Sequence, residues 1–321
     1  VKDVIAMLED AARVLVLAHR DPDGDALGAT LGLGHLLAAR GQEVWLYSAG
    51  PVPPEYGFLP GRERLRDQLP PRQWPQAAVL LDCHQPERAG AEAGRFLARL
   101  EQVAVVDHHQ GQTDFGRAVW VDPSCAATSQ MLAELARAAG WPLTAEAATC
   151  LFVGLQTDTG SFRYSNATPQ AFRVAAELVE AGADPWAISQ EVYATRPRRL
   201  RLLGRVLEDT ELMAGGRLAL AAVSLAQLQA LGCDSRDLED AVETLRGIPG
   251  VEVAALLREL PGGGVKASLR SRGRVDVAAV ALALGGGGHK SAAGMRLDMD
   301  LTTARRHLAE RLRQALDKEA A

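Results

Sequence analysis

Apolar positions in the first half of the chain fall into two kinds of block. Val14 to Ala18, Ala77 to Leu81 and Val103 to Val106 are short continuous apolar runs, the pattern of strands buried on both faces. Glu43 to Tyr47 and Ala118 to Val121 read as further strands. Between them, Asp25 to Arg40 carries Leu27, Leu31, Leu36 and Leu37 and stops at Gly41, which predicts a helix. A second helix is expected around Ala91 to Leu100, and the proline-rich stretch Gly50 to Pro75 reads as loop. Repeated β-α-β units predict an α/β fold with a parallel sheet and helices on both faces.

From Ala126 to about Leu207 the pattern is helical, in pieces Ala126–Ala139, Ala145–Thr157, Pro169–Ala181 and Pro185–Tyr193. Pro197 to Glu208 reads as a charged connecting helix, broken by Gly215-Gly216. Strand patterns then return at Arg217 to Val223, and Val251 to Leu257 is expected to pair with Val265 to Leu269 across Pro261-Gly262-Gly263-Gly264. Val275 to Leu284 reads as helix, Gly285–Gly288 as loop, Gly294 to Leu297 as strand and Thr303 to Leu316 as a last helix. A length of 321 residues exceeds what one core usually covers. The expected division is a domain over 1–190, a linker helix over 191–212, and a smaller α/β domain over 213–321, with a cleft between the two domains.

Composition narrows the function. A net charge of -5 argues against a surface built for long nucleic acid. No run approaches the ~18 apolar residues of a membrane span, and the first residues carry no signal-segment pattern. Cys83, Cys125, Cys150 and Cys233 form no C-x-x-C pair, so the expectation is a reducing cytoplasm and neither a zinc knuckle nor a disulfide framework.

The chemistry lies at the strand ends. The first run leads into His19-Arg20-Asp21-Pro22-Asp23-Gly24-Asp25, the second into Asp82-Cys83-His84, the third into Asp107-His108-His109. Four of the seven histidines fall in these three segments, and a fifth, His289, follows a glycine run near the end of the chain. In an open parallel sheet, ligands bind at the carboxyl ends of the strands, so these residues can meet. His19, Asp23, Asp25, Asp82 and His108, with Asp158 at the end of an apolar helix, make up the ligand supply that a two-metal site needs. Carboxylates and imidazoles without thiolates suit Mn²⁺, with Mg²⁺ or Co²⁺ as alternatives. Asp23 and Asp25 also suit helix capping, and Thr128 and Ser129 are expected to cap the helix that they open.

A second cluster lies far along the chain. The run Gly285-Gly286-Gly287-Gly288 leads into His289-Lys290-Ser291, and Arg270 and Arg272 follow a strand. Glycine lets backbone N–H groups approach an anion, and arginine matches phosphate oxygens. Gly286, Gly287, Gly288, His289, Lys290, Arg270 and Arg272 are therefore candidate substrate-binding residues, with Arg163 beyond Asp158 as a further one.

The set His19-x-x-x-Asp23-x-Asp25, Asp82, Asp107-His108-His109 and Asp158 resembles the motifs of the DHH phosphoesterase superfamily. The segment Gly285 to Gly294 resembles the signature of the DHH-associated C-terminal domain, and the run 158–166 resembles the nanoRNase/3'-phosphoadenosine 5'-phosphate phosphatase subgroup. The resemblance implies one metal held by His19, Asp23 and Asp82, and another held by Asp25, Asp82, His108 and Asp158. It implies that Asp107 supports an imidazole, that His109 faces the substrate, and that phosphorus is attacked in line. Expected substrates are short RNA, dinucleotides or a nucleoside bisphosphate, not long duplex DNA and not a membrane. A homodimer is compatible with the sequence. Rival readings are a dinucleotide phosphodiesterase of the same family, a family II pyrophosphatase, a RecJ-type exonuclease and a non-enzymatic dinucleotide sensor.

Overall fold

Strands buried on both faces need helices above and below them, and the computed structural model, which describes residues 1–238 and 241–318, supplies both layers. The chain divides into two compact units, Val1–Ala194 and Thr195–Ala321.

The first unit runs α1 (Lys2–Glu9), β1 (Arg13–Leu17), α2 (Gly24–Ala39), β2 (Glu43–Tyr47), β3 (Leu65–Arg66), β4 (Ala77–Leu81), α3 (Ala91–Leu97), β5 (Val103–Asp107), β6 (Ala118–Val121), α4 (Thr128–Ala139), α5 (Ala145–Asp158), α6 (Pro169–Glu180) and α7 (Pro185–Val192). Its sheet has the order β3-β2-β1-β4-β5-β6, and every pair is parallel. Alternate residues feed opposite faces. Val14, Val16, Val79, Leu81, Ala104 and Val106 pack with α2, α4, α5 and α6. Leu15, Leu17, Ala78, Leu80, Val103 and Val105 pack with Ala93 and Leu97 of α3. Strand β3 lies in the stretch read as loop. It has two residues, paired to Leu46 and Tyr47, too few to show a period.

Helix α2 is the centre of this unit. It is apolar nearly all round, and thirteen of its sixteen residues are buried. It crosses α5 closely because glycine recurs every fourth residue on the facing side. A Cβ on Gly28 would lie 2.5 Å from the Cys150 carbonyl oxygen and 2.9 Å from the Gly154 amide nitrogen. One on Gly24 would lie 2.4 Å from the Thr157 hydroxyl. The first turn of α2 therefore sits against the last turn of α5, bringing Asp25 near Asp158.

The second unit runs α8 (Pro197–Glu208), β7 (Glu211–Met213), β8 (Leu218–Val223), α9 (Leu225–Ala230), α10 (Ala241–Gly247), β9 (Val253–Glu259), β10 (Val265–Ser271), α11 (Val277–Leu282), β11 (Gly287–His289), β12 (Ala292–Leu297) and α12 (Leu301–Lys318). Its sheet is mixed, in the order β11-β12-β10-β9-β8-β7, with only β8 and β9 parallel. Leu308, Leu312 and Leu316 of α12 pack on one face, and Leu245 of α10 on the other. Leu202 and Val206 of α8 join that second cluster, so the stretch read as a linker contributes to this core.

The glycine run is not wholly loop, because Gly287–His289 pairs antiparallel with β12. Its glycines have a packing reason. A Cβ on Gly286 would lie 2.3 Å from the Gly294 carbonyl oxygen, and one on Gly288 would lie 2.5 Å from that of Ala292. Gly287 alone of the four is exposed in a strand with open space where a side chain would go. Among the described helices, none is long and apolar enough to cross a membrane.

Candidate metal centre

The strand order reverses direction between β1 and β4, the switch point of an open parallel sheet where ligands bind. β1, β4 and β5 are neighbours, so their carboxyl ends deliver His19, Asp82 and Asp107-His108-His109 to one place. Asp82 is in the left-handed region, with φ +58°, while its N–H still bonds to the Val106 carbonyl at 3.0 Å. Aspartate tolerates that conformation better than most residues, and the turn ends β4 at the carboxylate.

Asp82 is the hub. Its Oδ2 lies 3.3 Å from His19 Nε2. Its Oδ1 lies 3.5 Å from His108 Nε2 and 3.7 Å from His109 Nδ1, and it accepts a hydrogen bond from the Thr128 hydroxyl at 3.0 Å. Asp23 caps α2 by accepting the Ala26 N–H at 2.9 Å, and the same oxygen lies 3.8 Å from His19 Nε2. His108 Nε2 lies 3.0 Å from Asp158 and 3.9 Å from Asp25. Three groups with metal-ligand spacing result: His19, Asp23 and Asp82; Asp25, His108 and Asp158; and Asp82, His108 and His109.

Thr128 and Ser129 do not cap their helix, as the sequence led us to expect. The N-cap is Ala127, which offers no side-chain acceptor. The Asp25 carboxylate takes that place, accepting the N–H groups of Thr128 at 2.6 Å and Ser129 at 2.9 Å. An anion at a helix N-terminus is favoured there. Asp25 is thus a cap for α4 rather than for its own helix.

The electrostatics call for a cation. Burial, with the charge of Asp158, pushes the Asp25 carboxyl up to about 7. Burial, with Asp25, Asp23 and Asp158, pushes Asp82 well above the usual carboxylate range. Asp158 is raised as well, by burial first. Burial works against a charge on His108, but Asp158 and Asp25 outweigh it and raise its imidazole to about 9. Although His108 Nε2 lies among three carboxylates, it is buried without a properly oriented hydrogen-bond partner. An imidazole nitrogen among crowded carboxylates is the donor set of a divalent cation, which would displace the protons these groups share, so the residues fit a metal. His19, lowered by burial, is kept neutral, as a ligand must be.

Asp107 lies outside that set. Fully buried, it accepts the His109 N–H at 3.0 Å and His109 Nδ1 at 2.8 Å on Oδ1, and His84 Nδ1 at 2.5 Å on Oδ2. Burial alone would raise its carboxyl, but the His109 and His84 hydrogen bonds hold it well below the usual range. The imidazole it supports is therefore that of His109, and also that of His84. Sequence reasoning noticed His84 but gave it no role; its position two residues after Asp82 was the available signal.

In the second unit, Arg270 is engaged by Glu243 at 2.6 Å, and Arg272 donates to the Arg246 carbonyl at 3.0 Å, closing the end of α10. His289 and Lys290 are exposed at the β11–β12 turn. Arg163, in the first unit, is exposed and folds back on the Gly160 carbonyl at 2.6 Å.

Residues 13–155 match the DHH family N-terminal domain, and residues 214–319 match the DHHA1 domain. The chain is 37% identical over 310 residues to the bifunctional oligoribonuclease and PAP phosphatase NrnA of Thermus thermophilus, covering 95% of this chain and 90% of that protein. It is 25% identical over 265 residues to the protein of the same name from Bacillus subtilis, covering 82% of each. Among solved structures, an exopolyphosphatase-related protein from Bacteroides fragilis superposes with a TM-score of 0.88 at 26% identity, covering 99% of this chain and 95% of that one. The chain belongs to the DHH family, as a two-domain DHH–DHHA1 phosphoesterase.

Proposed function

We propose that this chain is a metal-dependent phosphoesterase that hydrolyses short oligoribonucleotides and dinucleotides, and also 3'-phosphoadenosine 5'-phosphate. The observation that carries this reading is the set of overlapping ligand groups around Asp82, together with the Thermus thermophilus relative's name. His19, Asp23 and Asp82 would hold one ion; Asp25, Asp82, His108 and Asp158 would hold the other. Mn²⁺ suits this imidazole–carboxylate set best. When bound, such ions polarise a phosphoryl oxygen and lower the pKa of water.

The remaining chemistry belongs to the chain's own side chains. His109 is held through Nδ1 by Asp107 and is 41% exposed, so its Nε2 is free to meet substrate. It orients the phosphoryl group or, when Nε2 also carries a proton, protonates the departing oxygen. Thr128 holds Asp82 in place through Oδ1. In the second unit, the exposed Gly287, His289 and Lys290 would meet a nucleotide phosphate. Gly286 and Gly288 space β11 against β12, and Arg270 and Arg272 would have to leave Glu243 and the Arg246 carbonyl to join them. Gly287 leaves open space where a ligand can approach the backbone. Arg163 is a further phosphate contact.

The test is a substrate panel with Mn²⁺: linear and cyclic dinucleotides, short RNA of graded length, 3'-phosphoadenosine 5'-phosphate and pyrophosphate. Short RNA, dinucleotides and the bisphosphate should be hydrolysed. Asp82→Ala should lose both Mn²⁺ binding and turnover while remaining folded by circular dichroism. Near-normal turnover by that variant, or turnover of pyrophosphate alone, would overturn the proposal.

A further inference from the structure

We infer that His84 is a positioning residue of this phosphoesterase, acting through Asp107 on His109; the inference rests on the function proposed above. Asp107 is a fully buried carboxylate shared between two imidazoles. Its Oδ1 is occupied by His109, through both the backbone N–H and Nδ1, and its Oδ2 by His84 Nδ1. A carboxylate gripped at both oxygens cannot rotate. Each ring must place a proton on Nδ1 to make its bond, which leaves Nε2 as the working nitrogen of His109.

His84 is itself wedged. Its ring lies under the loop that follows β5, so close that a Cβ on Gly111 would come within 2.4 Å of His84 Nε2. Gly111 has φ +150°. The loop that carries His109 away from the sheet therefore packs on the ring that anchors His109's partner. Remove His84, and Asp107 Oδ2 is left buried without a partner. The carboxylate is then free to turn, and Asp82 Oδ1, 3.7 Å from His109 Nδ1, becomes a competing acceptor. The polar partner of His84 is Asp107 and not a residue of the cation-binding set, so its loss should act on the rate and not on metal affinity.

The experiment compares the parent chain with His84→Ala and His84→Asn. Asparagine can present its amide N–H where His84 Nδ1 stands. With a dinucleotide and Mn²⁺, His84→Ala should lower kcat about 10- to 100-fold, the usual effect of losing such an outer partner, with KM and Mn²⁺ affinity unchanged. His84→Asn should recover most of the loss. In metal-free protein, ¹⁵N imidazole spectra should show His109 protonated at Nδ1 in the parent and in His84→Asn, and a tautomer mixture in His84→Ala. An unaltered kcat in His84→Ala, or equal losses in both variants, would overturn the inference, as would an unchanged His109 spectrum. Should the parent itself fail to hydrolyse the dinucleotide, the functional proposal falls, and the spectra still decide what His84 does to His109.

Discussion

Gly28→Ala asks whether the close crossing of α2 and α5 sets up the site. The added methyl would lie 2.5 Å from one backbone atom of α5 and 2.9 Å from another. Ordinary contact needs about 3.4 Å or more, so the helices must separate by roughly 0.5–0.9 Å, since no side chain can swing away. Overpacking of this kind costs about 1–3 kcal/mol, and the backbone contacts place it at the upper end. Alanine returns about 1 kcal/mol in helix propensity. The net destabilisation is about 2 kcal/mol, or roughly 4–8 °C in Tm for a unit of this size. The shift also moves Asp25 away from Asp158 and His108, and a ~1 Å misplacement can cost ~100-fold in rate. Thermal unfolding with and without Mn²⁺, plus a dinucleotide assay, measures both effects. Gly34→Ala is the control on the same helix, because its new Cβ would meet only the flexible end of Leu46 at 2.7 Å. A Gly28→Ala protein as stable and active as the parent, or no worse than Gly34→Ala, would refute the argument.

Three further outcomes are expected. Asp25 is raised from 3.8 to about 7 in the folded chain, so the folded state holds a proton that the unfolded state releases between those pH values. Metal-free protein should therefore lose stability as pH rises from about 4 to 7, by on the order of 4 kcal/mol from this group alone, and excess Mn²⁺ should reverse the trend. His108, raised from 6.5 to about 9, acts in the same direction at higher pH. Urea titrations in EDTA at pH 5 and pH 7.5 test the sign, and greater stability at the higher pH would contradict it. Thr128→Val keeps shape but removes the hydroxyl that holds Asp82 Oδ1; a loss of about 1–2 kcal/mol in metal-free protein is expected from chemical denaturation. Cys233, half-buried, should react with a thiol reagent in the native state well before the buried Cys83, Cys125 and Cys150, which differential labelling and mass spectrometry will show.

Much of the candidate site was legible because strand ends announce themselves. An apolar run followed at once by Asp or His marks where a buried strand meets solvent, and three such junctions stood in the chain at His19, Asp82 and Asp107-His108. Local signals failed where the reason for a residue lay elsewhere. Thr128 and Ser129 look like caps, yet their amides bond to Asp25, far away in the chain. Gly286 and Gly288 look like an anion loop, yet each clears a path for β12. β3 is too short for any period to show.

By itself, then, the sequence determined the α/β class, the residue types able to hold a cation and the strand ends that carry them. These follow from apolar periodicity and side-chain chemistry, which are local. Only the tertiary structure decided that β1, β4 and β5 lie side by side, that glycines let α2 and α5 touch, that Asp25 caps α4, and that His84 and His109 share Asp107. Those facts depend on distances between residues far apart in the chain, and a buried carboxylate takes whichever donors the packing brings to it.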